Sequence, residues 1–171
     1  MAFNKRLPSK KWMRPTTSKT RESLLATLAP YIEPTSKVLD LFAGTGSLGL
    51  ALLEEGCQEA TFVEGDRRSL NFLRENVGSK GKIICGLLPQ ALQRLAGEKF
   101  DIIVADPPYN SQEGPQTLLQ LGAYTNEGGI IVFEYHHKEK YPEDFKDFKV
   151  LKSKRFGETA LTFWQKIKVE D

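Results

Sequence analysis

Short apolar runs alternate with longer mixed runs along most of this chain, and their periods assign the elements. Leu24, Leu25, Leu28 and Ala29 recur at helical spacing after Thr16-Thr17-Ser18, whose side chains suit helix caps, and Pro30 and Pro34 close that segment. Val38 to Phe42 predicts a first strand and Ser47 to Glu55 the helix after it. Ala60 to Glu64 predicts a second strand, followed by a helix over Arg67 to Val77 with Asp66 as its N-cap. A short third strand follows at Lys82 to Cys85, then a helix over Pro89 to Ala96 with proline near its first turn, and a fourth strand at Phe100 to Ala105. Gln116 to Tyr124 reads as helical, while Gly129 to Glu134 is too apolar for anything but a buried strand. There the rhythm breaks. Phe148 to Ser153 and Thr159 to Gln165 are extended runs separated around Arg155-Phe156-Gly157-Glu158, with no room for a crossover helix, so they predict an antiparallel pair. The pattern is that of an α/β fold, Rossmann-like and doubly wound, with a mostly parallel seven-stranded sheet and an antiparallel edge pair.

At 171 residues the chain fits one domain, residues 1–171, with residues 1–21 as a basic N-terminal arm. No apolar stretch reaches the roughly 18–20 residues of a membrane span, and the first residues lack a secretory pattern, so a cytoplasmic protein without membrane partners is expected, and a monomer. Cys57 and Cys85 are too few for a disulfide scaffold and lack zinc-site spacing, so two reduced thiols near the core and no metal are expected. The net charge is only +2, but Lys5, Arg6, Lys10, Lys11, Arg14, Lys19 and Arg21 all precede the first acid, Glu22. Such a lead suits contact with a polyanion.

In doubly wound sheets, ligands sit beyond the carboxyl ends of the strands, and the first strand-to-helix turn touches the cofactor. Here that turn is Asp40-Leu41-Phe42-Ala43-Gly44-Thr45-Gly46. Gly44 and Gly46 would let backbone approach a ligand, and Gly49 would let the next helix lie near the sheet. Gly44 to Gly49 also matches the G-x-G-x-x-G dinucleotide fingerprint, so an NAD site competes. Asp40 shifts the balance, because an acid before the glycines repels a pyrophosphate and attracts a cation such as S-adenosylmethionine. Glu64, at the end of the second strand, stands where an acid accepts hydrogen bonds from ribose hydroxyls.

The second constellation is Asp106-Pro107-Pro108-Tyr109, directly after the fourth strand. An exocyclic amine of guanine or adenine is a poor nucleophile because its lone pair is delocalised into the ring. Two acceptors aimed at its hydrogens, the Asp106 carboxylate and the Pro107 carbonyl, would oppose that delocalisation and point the lone pair at a sulfonium methyl. The prolines would stiffen the loop and Tyr109 would stack on the base. No cysteine adjoins the loop, which disfavours covalent cytosine chemistry. His136 and His137, as neighbours, are expected to point apart into solvent.

At these residues the chain resembles the RsmD family of 16S rRNA guanine-N2 methyltransferases. The resemblance runs through Arg14-Pro15-Thr16-Thr17 with Thr20-Arg21-Glu22, Val38 to Leu50, Val63-Glu64, Phe100-Asp101 with Asp106 to Tyr109, and Gly129 to Glu134, and more loosely Phe156 to Thr159. It implies a class I methyltransferase using S-adenosylmethionine on a guanine of 16S rRNA, as naked RNA or within a small-subunit assembly particle. By position, Asp40, Phe42, Gly44, Thr45, Gly46, Glu64, Gly65, Leu87 and Leu88 would hold the cofactor, with adenine met by backbone or apolar groups at Leu87-Leu88. Asp106, Pro107, Pro108 and Tyr109 would be catalytic, and Lys10, Lys11, Arg14, Thr16 and Arg21 would meet RNA. The lead is shorter than in relatives that carry a Gly-x-x-x-Gly-basic pattern. Alternatives are N6-adenine methylation, methylation of a glutamine amide, and a non-catalytic RNA-binding assembly factor.

Overall fold

The computed structural model describes residues 18–168. Its centre is built by β1 (Lys37–Leu41) and β4 (Phe100–Ala105), which are almost wholly buried because a parallel sheet covered on both faces offers no solvent side. Outward on one flank lie β2 (Glu59–Glu64) and β3 (Lys82–Cys85); on the other lie β5 (Thr125–His136), β7 (Thr159–Lys166) and β6 (Phe148–Phe156). The strand order is β3-β2-β1-β4-β5-β7-β6, parallel except for β7, which runs antiparallel to both its neighbours.

One face is covered by α1 (Ser18–Leu28), α2 (Ser47–Glu54) and α3 (Arg67–Val77), whose Leu24, Leu28, Leu52 and Leu73 meet Phe62, Val104 and Phe163. The other face packs Leu92, Leu95, Leu118 and Leu121 on Leu39, Ile103 and Phe133. Asp66 caps α3, its side chain accepting the Arg68 amide at 2.8 Å. Trp164, fully buried on β7, donates its indole N–H to the Glu143 carbonyl at 2.9 Å and so ties the β5–β6 connection to the sheet. Among the described residues no helix is long and apolar enough to cross a membrane.

Several elements differ from the expectation. Gln90–Leu95 is a 3-10 helix rather than an α-helix, and its three-residue repeat buries both Leu92 and Leu95 on one face. The fourth helix, α4 (Glu113–Leu119), starts earlier than Gln116, because Pro115 falls in its first turn, where the missing N–H needs no partner. It gives way to a separate 3-10 turn at Leu121–Tyr124. α1 already begins at Ser18, so Arg21 sits on a helix rather than on an arm; Lys10, Lys11, Arg14 and Thr16 lie outside the described residues. Of the two free thiols, Cys57 is buried but Cys85 is exposed rather than near the core.

Candidate active site

Strand register brings the two loops together. Leu41 pairs with Ala105 as the last pair between β1 and β4, so the chain continues into Phe42 on one side and Asp106 on the other at the same level of the sheet. From there one strand's chain proceeds toward β2 and the other's toward β5, opening a crevice at the switch in strand order. Both loops contain a residue in the left-handed region: Phe42 at φ +53° and Asn110 at φ +55°. Such conformations are costly for non-glycine residues and collect at ligand-binding loops.

The turn after β1 is held almost entirely by internal bonds. Glu64 accepts the Gly44 amide at 2.8 Å with one carboxylate oxygen and the Asp66 amide at 2.7 Å with the other, lashing the glycine turn to the end of β2. Asn76 of α3 donates to the Thr45 carbonyl at 3.0 Å, and Ala43 donates to the Val63 carbonyl at 3.0 Å. Asp40 is buried and accepts the Gly49 amide at 2.9 Å, in the first turn of α2. Burial pushes its carboxyl up to about 8, opposed by that amide and reinforced by the charge of Glu64.

The glycines divide their work. A Cβ on Gly44, at φ +58°, would meet nothing within 4 Å, so this backbone is open to a ligand. On Gly46 it would stand 2.7 Å from Leu73 Cδ1, and on Gly49 it would collide with the Phe62 ring, so at both positions the missing Cβ makes room for the packing of α2. Gly65 faces the Gly86 carbonyl and Leu87 Cδ2, each 2.8 Å from its would-be Cβ, so the ends of β2 and β3 meet closely there. Leu87 is 71% exposed at this place, whereas Leu88 turns into the core. An open backbone at Gly44, the acid Glu64 at the end of β2, and an exposed apolar side chain after β3 fit a nucleoside ligand.

On the substrate side, Pro107 is buried against Gly114 of α4, which also abuts the Tyr141 hydroxyl, while Tyr109 is 56% exposed. Tyr109 contacts His136 edge-on, ring centroids 5.1 Å apart. The Asn110 amide donates to Glu139 at 3.1 Å. His136 and His137 do not point apart: their rings stack at 4.8 Å, because β5 ends at His136 and the strand alternation does not extend to the next residue.

Two residues join the site that were not singled out from the sequence. Glu134 is buried, and it follows Phe133, whose partner Ala105 precedes Asp106, so register sets it beside the clamp. Its signal was present, since an acid at or near the end of an apolar strand also gave Asp40, Glu64 and Asp106. Tyr141 arrives from the connection after β5, which no local pattern links to the loop. Among the described residues no cluster of His, Cys, Asp or Glu is arranged to hold a metal ion.

The family model described as Conserved hypothetical protein 95 matches residues 4–165. Ribosomal RNA small subunit methyltransferase D of Escherichia coli strain K12 is 29% identical over 165 residues, covering 94% of this chain and 83% of that protein. Among solved structures, a hypothetical protein of Thermus thermophilus is similar with a TM-score of 0.78 at 26% identity, covering 96% of this chain and 92% of that one. An RNA methyltransferase from Salinibacter ruber in complex with S-adenosyl-L-homocysteine shares the fold at 14% identity, with a TM-score of 0.68 and coverage of 92% and 97%. The chain therefore belongs to the family described as Conserved hypothetical protein 95, the RsmD family of S-adenosylmethionine-dependent methyltransferases.

Proposed function

We propose that this chain methylates the exocyclic N2 of a guanine in small-subunit ribosomal RNA. The observation that carries the reading is the register of β1 and β4, which sets the glycine turn and Asp106 to Tyr109 side by side at one crevice. The named relative, a ribosomal RNA small subunit methyltransferase, supports the substrate class. When bound, S-adenosylmethionine supplies an electrophilic methyl group on a sulfonium. Gly44 offers backbone, Glu64 and Asp40 offer acids, and Leu87 an apolar contact to hold it. Asp106 and the Pro107 carbonyl accept the two amine hydrogens of the base, drawing the nitrogen toward sp³ geometry. Tyr109, exposed and braced by His136, carries the unstacked base. Transfer of that methyl to the amine nitrogen would release the sulfur as a neutral thioether, and the Asp106 carboxylate would take the amine proton. The basic residues Lys10, Lys11, Arg14 and Arg21, with Thr16, contact the RNA backbone.

Asp106→Ala is expected to lower methyl transfer at least about 100-fold, the scale of losing one preorganised group at a reacting centre. Cofactor affinity, by calorimetry, is expected to change less than about twofold. Mass spectrometry of rRNA methylated by the wild type should find N2-methylguanosine; N6-methyladenosine there, or full turnover by the variant, would overturn the reading.

A further inference from the structure

A line of contacts leads from the clamp to the outer edge of the sheet. Tyr109 rests edge-on against His136, His136 stacks on His137, and the His137 Nε2 lies 3.2 Å from a guanidinium nitrogen of Arg155 on the edge strand β6. Each member is held. His136 Nδ1 accepts the Lys138 amide at 3.1 Å, and Arg155 Nε donates to the Gly157 carbonyl at 2.8 Å. With Arg155 as donor, His137 Nε2 is the acceptor and its ring is neutral. Partial desolvation, then the charges of Arg155, His136 and Lys138, hold it below the ordinary histidine range. Arg155 and Lys138 are exposed, and the exposed acid Glu158 faces His136 at 3.8 Å.

Aromatic rings beside a fixed guanidinium are the chemistry that single-stranded nucleic acid uses, bases and sugars against the rings and phosphate against the cation. The same edge strand also meets α1: Lys154 Nζ bonds Ser23 Oγ and Thr27 Oγ1, each at 2.9 Å. Ser18, where the basic lead joins the domain, is five residues from Ser23, roughly 8 Å along the helix. The lead therefore joins the domain at the helix that packs on this edge.

We propose that Tyr109, His136, His137 and Arg155 form a binding track for the RNA nucleotides next to the target base, with Arg155 taking a phosphate. This rests on the reading of the chain as an RNA methyltransferase. His136 is a positioning residue for Tyr109; His137 and Arg155 touch the flanking nucleotides.

The test uses the full chain, small-subunit particles from cells lacking it, and radiolabelled S-adenosylmethionine. Arg155→Ala and His137→Ala should each raise KM for the particle about 10-fold with kcat within twofold and cofactor affinity unchanged. Arg155→Ala should also lower the slope of log binding constant against log salt by about one, and Arg155→Lys should restore it. Lys80→Ala, an exposed cation ahead of β3, is the control and should leave KM and slope as in the wild type. Wild-type KM and salt slope in both His137→Ala and Arg155→Ala would overturn the track while leaving the methyltransferase reading standing. A wild-type chain that neither binds nor methylates the particle would sink both.

Discussion

The two halves of the crevice are built on opposite terms. On the cofactor side, around β1, β2 and β3, the acids are already engaged with backbone: Asp40 with Gly49, and Glu64 with both Gly44 and Asp66. On the substrate side, all three buried side-chain polar atoms that lack a hydrogen-bond partner among the described residues occur, Ser111 Oγ, Thr117 Oγ1 and Tyr141 Oη. Buried polar groups are normally paired, so an unpaired set gathered behind one loop is informative. The cofactor side has its shape before any ligand arrives, whereas around the substrate loop, which proline, ring contacts and the Asn110–Glu139 hydrogen bond help to hold, these three polar atoms are left unanswered.

The sharpest way to break this contrast is Glu64→Ala. It leaves two backbone amides without their acceptor and unties the glycine turn from β2. Hydrogen bonds to a carboxylate contribute about 1.5–3 kcal/mol each, so a loss of about 3 kcal/mol is expected. Urea unfolding at pH 7 measures it; a change under about 0.5 kcal/mol would mean that the turn stands without its lash.

Asp40 tests the same side through a pH dependence. Its carboxyl is raised from 3.8 to about 8 in the fold. Between those values the folded chain holds a proton that the unfolded chain has lost, so stability falls as pH rises, by at most about 1.4 kcal/mol per unit from this group. Below pH 4 both states are protonated and above pH 8 both are charged, so this contribution flattens at each end. Asp40→Asn removes the slope while keeping an acceptor for Gly49. Unfolding curves of the two proteins should diverge steadily from pH 5 to pH 8, with the variant increasingly the more stable. Parallel curves would show that Asp40 titrates as an ordinary exposed acid.

How much of this was legible in the chain follows the same division. The parallel core was readable because Val38 to Phe42, Ala60 to Glu64, Phe100 to Ala105 and Gly129 to Glu134 are apolar runs of strand length, separated by segments long enough to cross over. Within it, Asp40, Glu64 and Asp106 stood out as acids at or near the ends of such runs, and the structure sets all three toward the carboxyl end of the sheet. What each carboxylate does there was not readable, because Asp40 and Gly49 are joined only when α2 folds back along β1. The packing demand on Gly46 was hidden for a similar reason: its neighbour Leu73 lies a whole strand and helix away. On the substrate side the ring line depends on His137 leaving the strand, and Tyr141 reaches the clamp from more than thirty residues downstream, so period and spacing carry no trace of either.

Tyr141 offers the smallest effect and the finest test of the comparison. Its ring packs on Tyr135 at 4.3 Å and on Phe133 at 5.7 Å, so the phenyl body is anchored whatever the hydroxyl does. The hydroxyl is buried against Gly114 without a partner, and burial, with the charges of Glu139, Tyr135 and Asp106 adding, raises its pKa. Tyr141→Phe keeps the rings and removes only the unsatisfied oxygen, so the ligand-free protein should gain up to about 1 kcal/mol. For a chain of this length that is a Tm higher by roughly 2–4 °C, measurable by calorimetry. A loss of about 1 kcal/mol instead would mean that the hydroxyl is bonded in solution, and the substrate side would then be as internally satisfied as the cofactor side.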